Sequence, residues 1–170
     1  YPCISWDNKI YIFDKKYLFN SLEEAKNVPP LSEAIKVLEF PRQKRKPFRC
    51  IADFFANDRL DVIAFTLASS GLKISDYERS LYDKGEFAKY YQVHGLGVEL
   101  AEALAEVLHK QIRLDLDIVP KEGHTLNDVQ MKQYVGCRYS PGYAACPDLA
   151  MNRDIFDLLN PEEFGIELSE

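Results

Sequence analysis

The chain has 170 residues, a length typical of one domain, and its 46% hydrophobic and 28% charged residues are the composition of a globular protein. No apolar run approaches the ~20 residues that a membrane-spanning helix needs, and no signal peptide is visible, so we expect a cytoplasmic protein without a membrane partner. A net charge of −6 argues against nucleic acid, because phosphates favour a basic surface.

The first half of the chain predicts short strands and one short helix. Residues 9–13 are β-rich and bounded by polar residues, which indicates a strand, and residues 37–40 fit a strand or the end of a helix. Ser21 and Glu24 have the spacing of a capping box at a helix start. Residues 61–69 are apolar and β-branched at first and predict a buried strand.

The second half predicts helices. Ser75 and Glu78 have capping-box spacing for a helix that reaches about Tyr82. A long helix spans about 86–114, and its leucines and valine recur at the three-to-four spacing of a buried face (Leu96, Leu100, Leu104, Val107 and Leu108).

Two glycines interrupt the long helix. Gly95 and Gly97 each weaken it by roughly 1 kcal/mol relative to alanine, which predicts that another element, most simply a strand, approaches the backbone there.

Two further helices are predicted towards the end of the chain, over residues 127–133 and 153–159, the last stopped by Asn160-Pro161. Because strands and helices do not alternate regularly, we predict an α+β fold with a twisted, mainly antiparallel sheet flanked by helices.

The cysteines suggest no disulfide or metal site. Cys3, Cys50, Cys137 and Cys146 are widely spaced, form no CxxC pair and have no neighbouring histidine pair, so we expect reduced thiols and no metal. A hydrolase built on Cys146 and a histidine is a remote alternative, since no nucleophile motif surrounds that cysteine.

The segment GCRYSPGYAACPD, residues 136–148, is the most informative part of the sequence. Arg138 offers a planar fork for a carboxylate, Gly142 allows a close backbone approach, and Tyr143 adds a ring and a hydroxyl. Together they suit a zwitterionic ligand with an aromatic part. A surface turn beside an arginine accounts for the same pattern.

The same segment resembles the Arg-x-x-x-Gly-Tyr-x-x-Cys-Pro signature of the activation domain of cobalamin-dependent methionine synthase. Other segments resemble that family in the same order along the chain: FPRQKRKPFRCIADFF (residues 40–55), LDVIAFTLASSG (60–71), HGLGVELAEALAEVLHKQIR (94–113) and DIFDLLNPEEFGIELSE (154–170).

The resemblance implies that the chain binds S-adenosylmethionine. Arg138 matches the arginine that holds the ligand's carboxylate, and Ser140 and Gly142 match residues whose backbone contacts it. Tyr143 matches a tyrosine near the cobalt. Glu102 matches a helix glutamate associated with the ligand, although an acidic stripe of this kind also fits a solvated helix face.

The resemblance also implies a reaction and partners. The reaction is reductive methylation of cob(II)alamin, in which a reduced flavoprotein such as flavodoxin supplies an electron. Cobalamin is held mainly by another domain of the same methyltransferase, in methionine biosynthesis. The chain then forms a single domain, 1–170, that lacks the family's N-terminal and C-terminal segments, which puts activity of the isolated fragment in question. Ala144 replaces the family's usual proline.

A basic cluster supports a second hypothesis. Arg42, Lys44, Arg45, Lys46 and Arg49 occur within eight residues that contain no acid. They fit a solvated turn, or the dock of a noncatalytic interaction module for an acidic protein such as flavodoxin, with Arg138 as a structural ion-pair partner.

Overall fold

The computed structural model describes residues 1–118 and 135–168, and the chain divides into two compact units. The first unit comprises Tyr1–Phe65 and Tyr139–Glu170, and the second comprises Thr66–Arg138. The expectation that residues 1–170 form a single domain stays a prediction. The helix predicted over 127–133 lies outside the described residues.

The first unit contains a four-stranded sheet in the order β3-β2-β1-β4, with β1 at Pro2–Trp6, β2 at Lys9–Ile12, β3 at Lys36–Glu39 and β4 at Asp61–Val62. Every neighbouring pair is antiparallel. A tight turn joins β1 to β2, and Asp7 takes the positive φ of 57° that it requires. The predicted α+β class with an antiparallel sheet is confirmed.

Both faces of the sheet are covered because side chains alternate along each strand. Cys3, Ile10 and Ile12 pack in one cluster with Met151, whereas Ile4 packs on the other side in a cluster with residues such as Phe13, Ala25 and Leu60. The helices of this unit are α1 (Leu22–Ala25) and α4 (Met151–Leu159), accompanied by 3₁₀ turns at Lys15–Tyr17, Leu31–Glu33, Ile51–Phe54 and Pro161–Phe164.

Polar contacts reinforce this packing at both helices. Ser21 caps α1 by accepting from the Glu24 amide at 3.2 Å, as its spacing predicts. Lys36 on β3 bridges to Asp154 and Asp157 of α4, at 2.7 and 3.0 Å, and these partners raise the pKa of its ammonium group. Asn160 ends α4 in the left-handed conformation, where the sequence places the stop.

The predicted strand over residues 61–69 is much shorter than expected. Only Asp61–Val62 form a strand, at the sheet edge, where Pro2 and Cys3 of β1 are their partners. Next to this pairing, the main-chain N–H of Ile63 donates to Tyr1 O at 2.9 Å. A β-branched run favours a strand locally, but it does not supply the pairing partner that sets the length of the strand.

The described residues of the second unit contain an antiparallel pair of helices, α2 (Leu72–Asp83) and α3 (Phe87–Asp115). The long helix matches its prediction closely. The predicted start of α2 is wrong: the N-cap is Gly71, and Ser75 lies inside the helix. Gly71 has a φ of 88°, and its amide donates to Ser69 Oγ at 3.0 Å, so the chain turns into the helix one turn earlier.

The predicted buried face of α3 is also wrong. Its apolar residues are exposed by 39–66% (Leu96, Leu100, Leu104, Val107 and Leu108), whereas the buried positions of α3 are Gly97, His109 and Arg113. Periodicity identifies a helix with an apolar stripe, but it cannot state which neighbour covers that stripe.

Helix packing explains one of the two α3 glycines. A Cβ at Gly97 would lie 3.2 Å from Ile74 Cγ2 and 3.2 Å from Glu78 Oε1, so α2, and not a strand, makes the predicted close approach. At Gly95 a Cβ would meet nothing within 4 Å, so the expectation is wrong there.

The glycine pair gives a matched test of helix packing. Gly95→Ala should raise the free energy of unfolding by about 0.5–1 kcal/mol, because alanine favours helix and the space is open. Gly97→Ala should lose that gain and destabilise the protein by about 1 kcal/mol, since Ile74 must move. Chemical denaturation monitored by circular dichroism measures both, and equal gains at the two positions would contradict the packing.

Candidate functional site

The second half of the signature is a closed turn in the first unit. The Gly142 amide donates to Cys146 O at 2.8 Å, and the Cys146 amide donates to Tyr143 O at 2.8 Å. Ser140, Gly142 and Tyr143 are thus displayed on one short, hydrogen-bonded segment, and all three are exposed. The Tyr143 ring is 68% accessible, which fits a residue that faces a partner molecule.

Gly142 is required by the fold of this turn. Its φ of 97° is outside the range that other residues adopt readily, and a Cβ would lie 3.0 Å from Leu149 Cδ2. Because its amide is engaged with Cys146, its carbonyl is the main-chain group that remains for a ligand. The sequence expectation of a ligand contact at Gly142 stays a prediction, and the turn supplies an independent reason for glycine.

Cys146 anchors the turn. It is buried, and its thiol lies 3.4 Å from Met151 Sδ at the start of α4. Burial raises the pKa of this thiol above its ordinary value, so little thiolate forms near neutral pH. This environment argues against the Cys146 hydrolase alternative. All four cysteines are free, and Cys137 is exposed.

Arg138 belongs to the second unit and is held by α3. Its Nη2 donates to Glu102 Oε2 at 3.0 Å and lies 3.6 Å from Glu106 Oε2. The two glutamates are four residues apart and therefore occupy the same helix face on successive turns. The structure thus brings Arg138 and Glu102 together, as an ion pair.

Glu106 was missed as a site residue. Glu99, Glu102 and Glu106 form an acidic stripe in the sequence, which is typical of a solvated helix face. In the structure only Glu106 is substantially buried: its side chain is 31% exposed against 63% for Glu102, and its Oε1 is inaccessible and accepts no hydrogen bond in the described structure. The spacing of four from Glu102 was the available signal.

The next turn of α3 adds buried basic groups. Arg113 is almost inaccessible, and its Nη1 lies 3.4 Å from His109 Nδ1. Burial, and then the Arg113 charge, lower the pKa of His109, which favours the neutral imidazole.

The basic cluster forms an exposed loop in the first unit. The Gln43 amide donates to Arg49 O at 2.9 Å and the Phe48 amide to Arg45 O at 2.8 Å, which close the loop. Arg42 stands apart, because its fork pairs with both Asp53 oxygens at 2.6 and 2.7 Å and also donates to Phe48 O. This pairing lowers the pKa of the Asp53 carboxyl.

The loop residues Lys44, Arg45, Lys46 and Arg49 are exposed, and none forms an ion pair with another described residue. Of the five basic residues in the cluster, Arg42 therefore serves the fold and the other four remain open to a partner.

Residues 1–118 and 135–168 contain no group of three or more His, Cys, Asp or Glu side chains that could hold a metal ion. None of their helices is long and apolar enough to cross a membrane.

Comparison with known proteins identifies relatives over the whole chain. The model of the family described as vitamin B12 dependent methionine synthase, activation domain, matches residues 2–170. A methionine synthase of Mycobacterium tuberculosis is 39% identical over 77% of this chain, and one of Mycobacterium leprae is 35% identical over 100% of this chain. The chain spans only 12% and 14% of these relatives.

A solved structure, the crystal structure of the MetH reactivation domain bound to AdoHcy, has the same fold. It superposes with a TM-score of 0.79 and 25% sequence identity, over 99% of this chain and 51% of that one.

A second glycine pair tests the signature turn. Gly165 has a φ of 70° with open space around its Cβ position, so Gly165→Ala should cost about 1 kcal/mol from backbone strain alone. Gly142→Ala should cost about 2 kcal/mol or more, because Leu149 must also move. Chemical denaturation compares the two, and a smaller cost at Gly142 would show that the turn is not built as described.

Proposed function

Because the chain belongs to the family of activation domains of vitamin B12 dependent methionine synthases, we propose that it binds S-adenosylmethionine for the reductive methylation of cob(II)alamin. The observation that carries the proposal is the family match over residues 2–170, which includes the whole signature. The AdoHcy bound to the structural relative supports the ligand class, since AdoHcy is S-adenosylmethionine without the transferred methyl group.

Arg138 receives the ligand's carboxylate in this proposal. Its guanidinium already donates to a carboxylate oxygen at 3.0 Å, so the Glu102 side chain marks where an anionic group is held. Glu102 is well exposed and can move away, and its charge then becomes available to a cationic group of the ligand. The donor and acceptor set of these two residues thus fits the zwitterionic head of S-adenosylmethionine.

The turn residues have separate proposed roles. Ser140 and Gly142 contact the ligand through the main chain, for which the Gly142 carbonyl is free. Tyr143 offers an exposed ring and hydroxyl near the cobalt when the corrinoid is presented. None of these residues acts as a nucleophile or general base, so this chain contributes by orienting the methyl group and excluding water.

The remaining functions belong to the whole enzyme and are proposals here. Cobalamin, bound mainly by another domain of the same polypeptide, supplies the cobalt that accepts the methyl group. The chain then works as part of cobalamin-dependent methionine synthase, a cytoplasmic methyltransferase of methionine biosynthesis.

A second function is favoured by the basic loop. The exposed cations Lys44, Arg45, Lys46 and Arg49 form a compact positive surface on an acidic chain. A surface of this kind accelerates encounter with an acidic protein, and the reaction needs an electron donor, so flavodoxin or a similar acidic flavoprotein is the proposed partner.

Removing the Arg138 fork should abolish carboxylate recognition. Arg138→Ala should weaken binding of S-adenosylmethionine by about 2–3 kcal/mol, as expected for a charge-assisted pair, without unfolding the protein. Isothermal titration calorimetry of the 170-residue chain measures the affinity. Arg79→Ala, an exposed arginine on α2, is the control. Equal affinity in wild type and Arg138→Ala would remove Arg138 from the ligand site.

Reversing the loop charge should slow docking. The double variant Lys44→Glu/Arg45→Glu should reduce the association rate with an acidic flavodoxin about tenfold at low ionic strength, and high salt should erase the difference. Surface plasmon resonance over a salt series measures this, with Lys26→Glu/Lys73→Glu as a variant of equal charge elsewhere. Equal slowing by both variants would mean that net charge, and not this loop, sets the rate.

A further inference from the structure

The environment of Glu106 differs from that of the other carboxylate beside Arg138. Glu102 is 63% exposed, whereas Glu106 is 31% exposed and its Oε1 is inaccessible, without a hydrogen-bond partner in the part of the chain that the structure describes. A carboxylate in that position gains less from water than an exposed one does. Its other oxygen, Oε2, lies 3.6 Å from Arg138 Nη2.

Both contacts of Arg138 with α3 use the same nitrogen. Glu102 and Glu106 each approach Nη2, which carries two N–H groups, and no other atom of the guanidinium makes a hydrogen bond within the described ranges. One carboxylate can therefore leave while the other stays. The difference in exposure favours Glu102 as the one that leaves, because it can rotate into water, whereas Glu106 is mostly covered by the protein.

We propose that Glu106 is the positioning residue of the ligand site, which stays beside Arg138 and keeps its guanidinium oriented when the ligand's carboxylate replaces Glu102. This inference rests on the proposed function, because it assigns a role in binding S-adenosylmethionine. Glu106 touches no ligand atom in it. Its effect passes through Arg138, whose long side chain would otherwise lose rotamer freedom on binding.

A competing role for Glu106 makes the opposite prediction. If it were only a second counterion, its charge would repel the incoming carboxylate and draw Arg138 away from it, so removing that charge would tighten binding. If it orients Arg138, removing the charge weakens binding. The sign of the change in affinity separates the two roles.

The test is calorimetry of the 170-residue chain with two ligands. S-adenosylmethionine carries the carboxylate, and 5′-methylthioadenosine lacks the amino-acid head altogether. Glu106→Gln keeps the size of the side chain and removes its charge. Glu99→Gln makes the same change one turn before Glu102, at an exposed position of α3. Thermal melting followed by circular dichroism verifies that each variant is folded.

We expect Glu106→Gln to weaken binding of S-adenosylmethionine about tenfold and to leave binding of 5′-methylthioadenosine unchanged. Glu99→Gln should alter neither affinity. In an Arg138→Ala background, Glu106→Gln should have no further effect, since its action passes through that arginine.

The contrary outcomes are distinguishable. Unchanged or tighter binding by Glu106→Gln, while Arg138→Ala loses affinity, overturns the role of Glu106 and leaves the proposed function intact. Equal weakening of both ligands also overturns it, because the substitution then damages the structure generally. Failure of the wild-type chain to bind S-adenosylmethionine overturns the proposed function and this inference together.

Discussion

The pairing of Arg138 with the carboxylates of α3 is the interaction on which the candidate site depends. It connects Arg138, the first charged residue of the signature, to α3, a helix of 29 residues. The position of α3 is set in turn by its contact with α2 at Gly97. A guanidinium attached only to a loop would sample many rotamers. Two carboxylates of α3 confine Arg138, so the cost of ordering the side chain is met during folding and not when a ligand binds.

The sequence correctly predicted those features of the fold that depend on residues close together in the chain. The bounds of α3, the Ser21 cap and the end of α4 at Asn160 depend on residues within a turn or two of each other, and all three are confirmed. The errors concern what packs against an element. The strand predicted at 61–69 is paired only at Asp61–Val62, and the apolar stripe of α3 is exposed although its period is correct.

The candidate site shows the same division. The conformation of Gly142 and the exposure of Tyr143 follow from a short turn, and the signature itself points to them. The spacing of four from Glu102 places Glu106 on the same helix face, but the sequence does not show that Glu106 differs from Glu99 and Glu102 in burial. What distinguishes Glu106 is burial, which depends on residues distant in the chain. Resemblance to a family indicates roles for residues that match its motif. It does not identify the neighbouring residues that hold them in position.

Two arginines that appear equivalent in the sequence have different chemical freedom in the structure. Arg42 binds both oxygens of Asp53, Phe48 O and Asn8 Oδ1, so most of its fork is committed and displacing it would break several bonds at once. Among the described residues, Arg138 contacts its partners through Nη2 alone, and one of these carboxylates, Glu102, is well exposed. An incoming carboxylate would therefore have to replace one exposed partner at Arg138. At Arg42 it would have to break the hydrogen bonds to Asp53 that hold the side chain in place. This difference supports the proposal that Arg138, and not Arg42, receives the ligand's carboxylate.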